Sequence, residues 1–168
     1  MSDPIKARVL VVDDEPNIVE VIRSALLSEG YDVTATDNSE SAERLIQERE
    51  YDLIITDLKM APIDGMGILR RAKQKDAYAQ VILITAFSTV ETAVEAMRAG
   101  AYDYVLKPFK LSELKLVVRR ALEHRATVLE NDQLKSILRQ KYNLHNIVGE
   151  SSAMQRVFDR IRKVADAD

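Results

Sequence analysis

Val9-Leu10-Val11-Val12-Asp13-Asp14-Glu15-Pro16 sets the frame for reading the rest of the chain. A continuous apolar, β-branched-rich run is what a strand buried on both faces requires. Pro suits the first turn of a helix, so Pro16 marks a helix start directly after the acids. The stretch therefore reads as a strand feeding a helix through a carboxylate-bearing junction. Leu53-Ile54-Ile55 and Val81-Ile82-Leu83-Ile84 repeat the buried-strand pattern, and Tyr31 to Thr36 and Tyr102 to Leu106 give two more polar strands.

Amphipathic helical segments separate these runs: Pro16–Glu29, Ser39–Arg49, Gly65–Lys75 and Val90–Arg98. Gly30 stands at the exit of the first, and Ser88-Thr89-Val90-Glu91 reads as a capping box at the entry to the fourth. Five βα units in strict alternation imply a parallel sheet covered on both faces, a doubly wound α/β domain. From Leu111 to about Tyr142 there is no Gly or Pro. Leu114, Val118, Leu122 and Leu129 form a stripe there, Arg125 interrupts it, and Leu134, Ile137 and Leu138 follow a polar gap at Glu130 to Gln133. This reads as an extended C-terminal helix that outruns its sheet and could pair with a second copy of itself. Asn143-Leu144-His145-Asn146 breaks the pattern, and Ala153–Val164 reads as a further helical segment.

Composition narrows the chemistry. The 168 residues are 46% hydrophobic and 30% charged, as in a folded globular chain. There is no cysteine, which removes disulfides, thiolate catalysis and Cys-based metal sites, and the two histidines, His124 and His145, do not make a His-rich metal centre. No signal peptide or bilayer-length apolar run is present, so the expectation is a cytoplasmic protein with no membrane contact. Residues 1–110 carry 13 Lys+Arg against 19 Asp+Glu, and residues 111–168 carry 11 against 8. An acidic first part and a tail of interspersed signs argue against direct nucleic-acid contact.

In an open α/β sheet, sites form beyond the carboxyl ends of the strands, near the point where strand order reverses. The first strand delivers Asp13, Asp14 and Glu15 there, the third Asp57, the fourth Thr85, and the fifth Lys107 followed by Pro108. Asp13, Asp14, Asp57 and Lys107 leave a residual charge of −2 in a partly buried cleft. Desolvation would protonate such acids unless a cation balanced them. All-oxygen ligation with room for water and phosphate oxygens favours Mg²⁺. Asp57 beside a Lewis acid and a lysine suits in-line attack on a phosphoryl group, with Lys107 and Thr85 holding phosphoryl oxygens. An Asp pair after a strand also serves as a helix cap, but matching groups on three other strands tell against that role alone.

Taken together, Asp13-Asp14, Asp57, Thr85 and Lys107-Pro108-Phe109, in this order on successive strands, resemble the receiver domain of two-component response regulators over about residues 6 to 125. The resemblance implies a flavodoxin-like, CheY-like five-stranded fold and phosphoryl transfer from a sensor histidine kinase to Asp57 with Mg²⁺. It further implies a cis peptide before Pro108 and an aromatic switch residue, matched here by Tyr104. Asp14, Asp57 and the backbone carbonyl of Lys59 would ligate the metal, and Asp13 would act through water. Met60-Ala61-Pro62-Ile63-Asp64-Gly65 departs from the family's Met-Pro-x-x-Asp-Gly by moving the proline one place. Lys59 and Phe87 stand at variable positions and offer no carboxylate or amide to orient water, which implies a long-lived acyl phosphate.

Ile147-Val148-Gly149-Glu150-Ser151-Ser152-Ala153-Met154 is similar to the entry of the AAA+ ATPase domain in NtrC-type, sigma-54-dependent transcription activators. The chain then divides into a receiver over residues 1–125, a helical linker over 126–146 and the start of an AAA+ domain over 147–168. Gly149 is the only glycine after Gly100, so the ATPase phosphate loop is absent from this sequence and the chain is expected not to be an enzyme in its own right. The expected partners are a sensor kinase, a second copy through the fifth helix and linker, and the AAA+ domain. Two other classes share parts of the pattern. An aspartyl-phosphate hydrolase would need a second acid where Lys59 stands, and a flavodoxin-like cofactor binder would need a Gly/Ser-rich phosphate cradle and stacking aromatics.

Overall fold

The computed structural model describes residues 6–86 and 89–141. The chain divides into two compact units, Met1–Val128 and Leu129–Asp168. In the first, β1 (Arg8–Val12), β2 (Asp32–Thr36), β3 (Leu53–Asp57), β4 (Gln80–Thr85) and β5 (Asp103–Leu106) form one sheet in the order β2-β1-β3-β4-β5, with every pairing parallel. Between the strands run α1 (Pro16–Ser28), α2 (Ser39–Glu48), α3 (Gly65–Lys75) and α4 (Val90–Arg98), and after β5 comes α5 (Leu111–Lys141). This is the doubly wound α/β fold that the alternation of runs predicts, with the five-stranded flavodoxin-like topology that the receiver resemblance implies. The two weaker strands begin one residue later than expected, at Asp32 and Asp103, and Tyr102 N still donates to Val81 O of β4 at 2.7 Å.

Alternation along each strand divides the core in two, because successive side chains point to opposite faces. Leu10, Val12, Ile54, Val81 and Leu83 pack with α2, α3 and α4 residues such as Ile46, Leu69 and Ala96. Val9, Val11, Leu53, Ile55, Ile82 and Ile84 pack with Ile22 and Leu26 of α1 and Leu114, Val118 and Ala121 of α5. β3 and β4 are buried at every position, as a central strand must be. α4 is the least anchored helix. Only Ala96 is fully buried, while Val90, Val94 and Met97 are exposed.

Local chemistry accounts for the helix boundaries. Pro16 opens α1, and Gly30, at φ +89°, follows its end in a left-handed conformation that other residues adopt at a cost. Asn38 and Asp64 cap α2 and α3 by accepting from the backbone N–H of Ser41 and Gly67. The capping box of α4 is one residue later than the sequence reading placed it. Thr89 accepts from Thr92 N, and the Thr92 hydroxyl accepts from Thr89 N, while Ser88 lies outside the described residues. A Thr at the third helical position completes the box as an acid would, so the hydroxyl at Thr89 prevails.

On α5 only part of the apolar stripe is left free to pair with a second copy. Leu122 is half-buried against the core, and Leu129 is half-buried as well. Arg125 is no gap. Its guanidinium reaches Asp52 Oδ1 at the start of β3 (Nε, 3.0 Å) and Asp76 Oδ2 at the end of α3 (Nη1, 2.8 Å). In the second unit residues 129–141 are helical, with Leu134, Ile137 and Leu138 more than half exposed (54%, 57% and 52%). Among the described residues no helix is long and apolar enough to cross a membrane. The expectations that concern Phe87, His145 and residues 147–168 lie outside the described residues.

Candidate functional site

Register brings the predicted groups to one edge. Val12 is level with Thr56, so Asp13 and Asp57 leave adjacent strands side by side. Asp57 is level with Ile84, and Thr85 with Leu106, which sets Thr85 and Lys107 next along the same edge. β1 and β3 diverge here, β1 continuing to β2 on its other side, so the crevice lies where the strand order reverses.

The Lys107 side chain is the centre of the arrangement. Its ammonium lies 2.8 Å from Asp13 Oδ2, 3.1 Å from Asp57 Oδ1 and 3.0 Å from Glu15 Oε1. Asp13 and Asp57 are buried (1% and 6% exposed) and the lysine side chain is 12% exposed. The remaining carboxylate oxygens are held by backbone: Glu15 N donates to Asp13 Oδ1 at 3.0 Å, and Lys59 N to Asp57 Oδ2 at 2.8 Å. Burial pushes the Asp13 carboxyl above its ordinary value, against the ion pair with Lys107 and the Glu15 amide that favour its charge. Burial also acts to lower Lys107, but hydrogen bonds to Asp13, Glu15 and Asp57 outweigh it and hold the ammonium above its ordinary range. The lysine is charged at any physiological pH.

The surrounding positions differ in exposure. Thr85 is buried at the end of β4, and its backbone carbonyl accepts from Lys107 N at 2.8 Å. Tyr104 is half-buried and packs against the α2–α4 side of the core, level with Leu83. The Lys107-Pro108 peptide is cis, and so is Ala61-Pro62 in the loop after Asp57. Asp14 is exposed and, with Lys59, lines a groove bordered by Arg70 of α3 and Glu95 of α4. A second, largely apolar groove runs from Glu15 and Lys107 along Ile18 and Val21 to Phe109.

Among the described residues no three His, Cys, Asp or Glu side chains are placed to hold a metal ion, and Asp14 is exposed where Asp13 and Asp57 are buried. The lysine nevertheless shows that Asp13 and Asp57 converge on a single cationic point, with the hard oxygen donors that Mg²⁺ takes. Two members of the site were not singled out from the sequence. Glu15 was read only as part of the acidic junction, and its contact with Lys107 spans 92 positions. Gly65 was read as the first residue of a helix and the last of the loop motif Met60–Gly65, yet it packs directly on the Asp57 backbone.

Comparison with known proteins matches residues 9–119 to the response regulator receiver domain. The chain belongs to that family. This receiver is 35% identical over 158 residues to the regulatory protein AtoC of Escherichia coli, a match covering 94% of the chain and 34% of AtoC. It is 37% identical over 161 residues to DctD of Pseudomonas aeruginosa, the C4-dicarboxylate transport transcriptional regulatory protein, covering 95% and 35%. The receiver thus spans about a third of the length of these relatives. Among solved structures it resembles the beryllofluoride-activated NtrC4 receiver domain dimer (TM-score 0.67, 35% identity, 70% of this chain and 98% of that one). It also resembles NtrX from Brucella abortus (TM-score 0.73, 33% identity, 96% and 35%).

Proposed function

We propose that this receiver is the phosphorylation-controlled switch of a two-component system and takes a phosphoryl group on Asp57 from a sensor histidine kinase. The observation that supports this best is the Lys107 ammonium bridging Asp13 and Asp57 at 2.8 and 3.1 Å. A buried carboxylate held beside fixed positive charge can act as a nucleophile toward phosphorus without being protonated. An Asp57 oxygen forms the new O–P bond as the P–N bond to the donor breaks, the electron pair staying on that nitrogen; the other ring nitrogen carries a proton, so the donor histidine leaves as neutral imidazole. Lys107 then meets the charge on the phosphoryl oxygens, and Thr85 donates to one of them. Asp13, Asp14, Asp57 and the Lys59 carbonyl would hold Mg²⁺, which supplies Lewis-acid neutralisation of the phosphoryl charge.

The phosphoryl group adds roughly −1.5 to −2 charge and three strong acceptors, to which the Thr85 hydroxyl must respond. Movement of the Thr85 loop toward it frees space for Tyr104, carrying the signal to α4, β5 and α5. The output, by likeness to the NtrC-type regulators, is control of a sigma-54-dependent AAA+ ATPase through the linker helix, in the cytoplasm. A homodimer through α5 and the linker is part of this reading, supported by the exposed Leu134, Ile137 and Leu138 and by the dimeric state of the NtrC4 receiver.

Incubation with Mg²⁺ and a small acyl phosphate tests the chemistry. One phosphoryl group per chain is expected on the native protein and none on Asp57→Asn. Label that persists in the variant would place the acceptor elsewhere.

A further inference from the structure

Glu15 occupies the N-cap position of α1, yet its side chain makes no cap hydrogen bond to the helix. It turns instead to the Lys107 ammonium, 3.0 Å away, and gives that lysine a third carboxylate. The three acids are not equivalent. Asp13 and Asp57 are buried and tied by backbone amides, whereas the Glu15 side chain is 62% exposed and holds the lysine by one contact from the solvent side. An ammonium has three N–H donors. Glu15 Oε1 accepts from this ammonium, and Asp13 Oδ2 and Asp57 Oδ1 crowd the same nitrogen at 2.8 and 3.1 Å.

A phosphoryl group on Asp57 moves the negative charge of that carboxylate onto three further acceptor oxygens, and these compete with Asp13 and Glu15 for Lys107. Asp13 is the costly one to abandon, because its carboxylate is buried and water cannot take the place of the lysine around it. Glu15 is the cheap one, because water takes the place of the lysine around an exposed carboxylate. We propose that Glu15 is a positioning residue that acts through Lys107. It holds the lysine in the unmodified state, is exchanged for a phosphoryl oxygen when Asp57 is modified, and so sets a threshold against modification. This rests on the reading of Asp57 as the acceptor. Two effects act in the same direction: the ion pair that must be broken, and the repulsion between the freed carboxylate and the new phosphoryl charge. Glu15 also stands at the mouth of the apolar groove between α1 and Phe109, so its release changes the charge of that surface at the moment of modification.

The test compares native protein with Glu15→Gln, which keeps the shape and removes the charge. Berylliofluoride in the presence of Mg²⁺ serves as the phosphoryl mimic. An exposed pair is worth little and the repulsion acts through water, so the variant is expected to bind the mimic about threefold to tenfold more tightly. Its phosphorylation by an acyl phosphate should accelerate by a similar factor, and the gain should shrink at high salt. A residue serving only helix stability would change the thermal midpoint without this salt-dependent gain. Removing the lysine supplies the second arm: in a Lys107→Met background, Glu15→Gln should lose the part of its gain that comes from the ion pair, so the gain should be smaller than in the native background. Unchanged affinity, weaker affinity, or an equal gain without Lys107 would each overturn the proposal. Failure of the native protein itself to bind the mimic would instead overturn the assignment of Asp57.

Discussion

A methyl group added at Gly65 has nowhere to go. Its Cβ would run into the backbone carbonyl oxygen of Asp57 and lie 2.9 Å from Leu58 Cα, and backbone atoms cannot step aside as a side-chain tip can. Gly65→Ala should cost about 1–3 kcal/mol in urea unfolding and slow phosphorylation of Asp57, because relief of the clash must move the acceptor loop. Gly30→Ala offers the contrast. The position is open but left-handed, so the variant should lose about 1–2 kcal/mol with the rate at Asp57 unchanged. Equal rates in both variants would show that the loop tolerates the displacement. Thr85→Ala should still accept the phosphoryl group but fail to show the spectroscopic change at Tyr104, and a full response there would break the proposed link. Asp13, Asp57 and Thr85 were legible in the sequence because each stands at the end of a strand with a continuous apolar run, and Lys107 because it precedes Pro108 after the more polar fifth strand. Glu15 and Gly65 were not, because what they do depends on residues met only after folding: Lys107 for one, the carbonyl of Asp57 for the other.

At the scale of elements, α3 and α4 run over the residues that the pattern of caps and apolar spacing predicts, and α1 and α2 end within one residue of it. Helix ends are set by local chemistry, which one sequence carries. What a helix face meets is set at a distance, and Arg125 is the instructive case. It interrupts the stripe of α5 in sequence, yet in the fold it is a pin to Asp52, 73 positions away, whose other oxygen accepts from Arg8 N at 2.7 Å. Arg125→Ala should cost about 2 kcal/mol, read as a lower thermal midpoint, since it strands two half-buried carboxylates. Lys115 and Glu29 join α5 to the end of α1 at 2.8 Å, and that contact holds the Glu29 carboxyl below its ordinary 4.5. A carboxylate lowered by folding stabilises above its unfolded value, and the contribution fades as pH falls through the folded one. Glu29→Gln should therefore lower stability slightly at neutral pH, with the difference from the native protein vanishing as pH falls below 4.5, so that acid unfolding becomes less steep. An identical acid limb would mean the pair is solvated away in solution.

For the molecule as a whole, self-association is the test of the linker. The leucine and isoleucine positions beyond Val128 are exposed, and an apolar stripe at helical spacing is buried by a second copy in a coiled coil. Light scattering should find dimers at micromolar concentration. Leu134→Asp with Leu138→Asp should shift them to monomers while leaving the Asp57 chemistry intact. Dimers that survive would place the contact on the receiver domain itself.

The two-sided core has a different consequence when considered as opening free energies. A helix held by one buried alanine has little to lose by detaching, whereas β3 and β4 can be exposed only by dismantling both cores. Amide hydrogens of Val90–Arg98 should therefore exchange with deuterium through a local opening, well before those of Leu53–Asp57 and Gln80–Thr85, which should wait for global unfolding. Exchange of all three segments at one rate would make the fold a single cooperative unit. A graded pattern would mean that α4 already samples detached states before any phosphoryl group arrives, and that modification at the strand edge has only to reweight them.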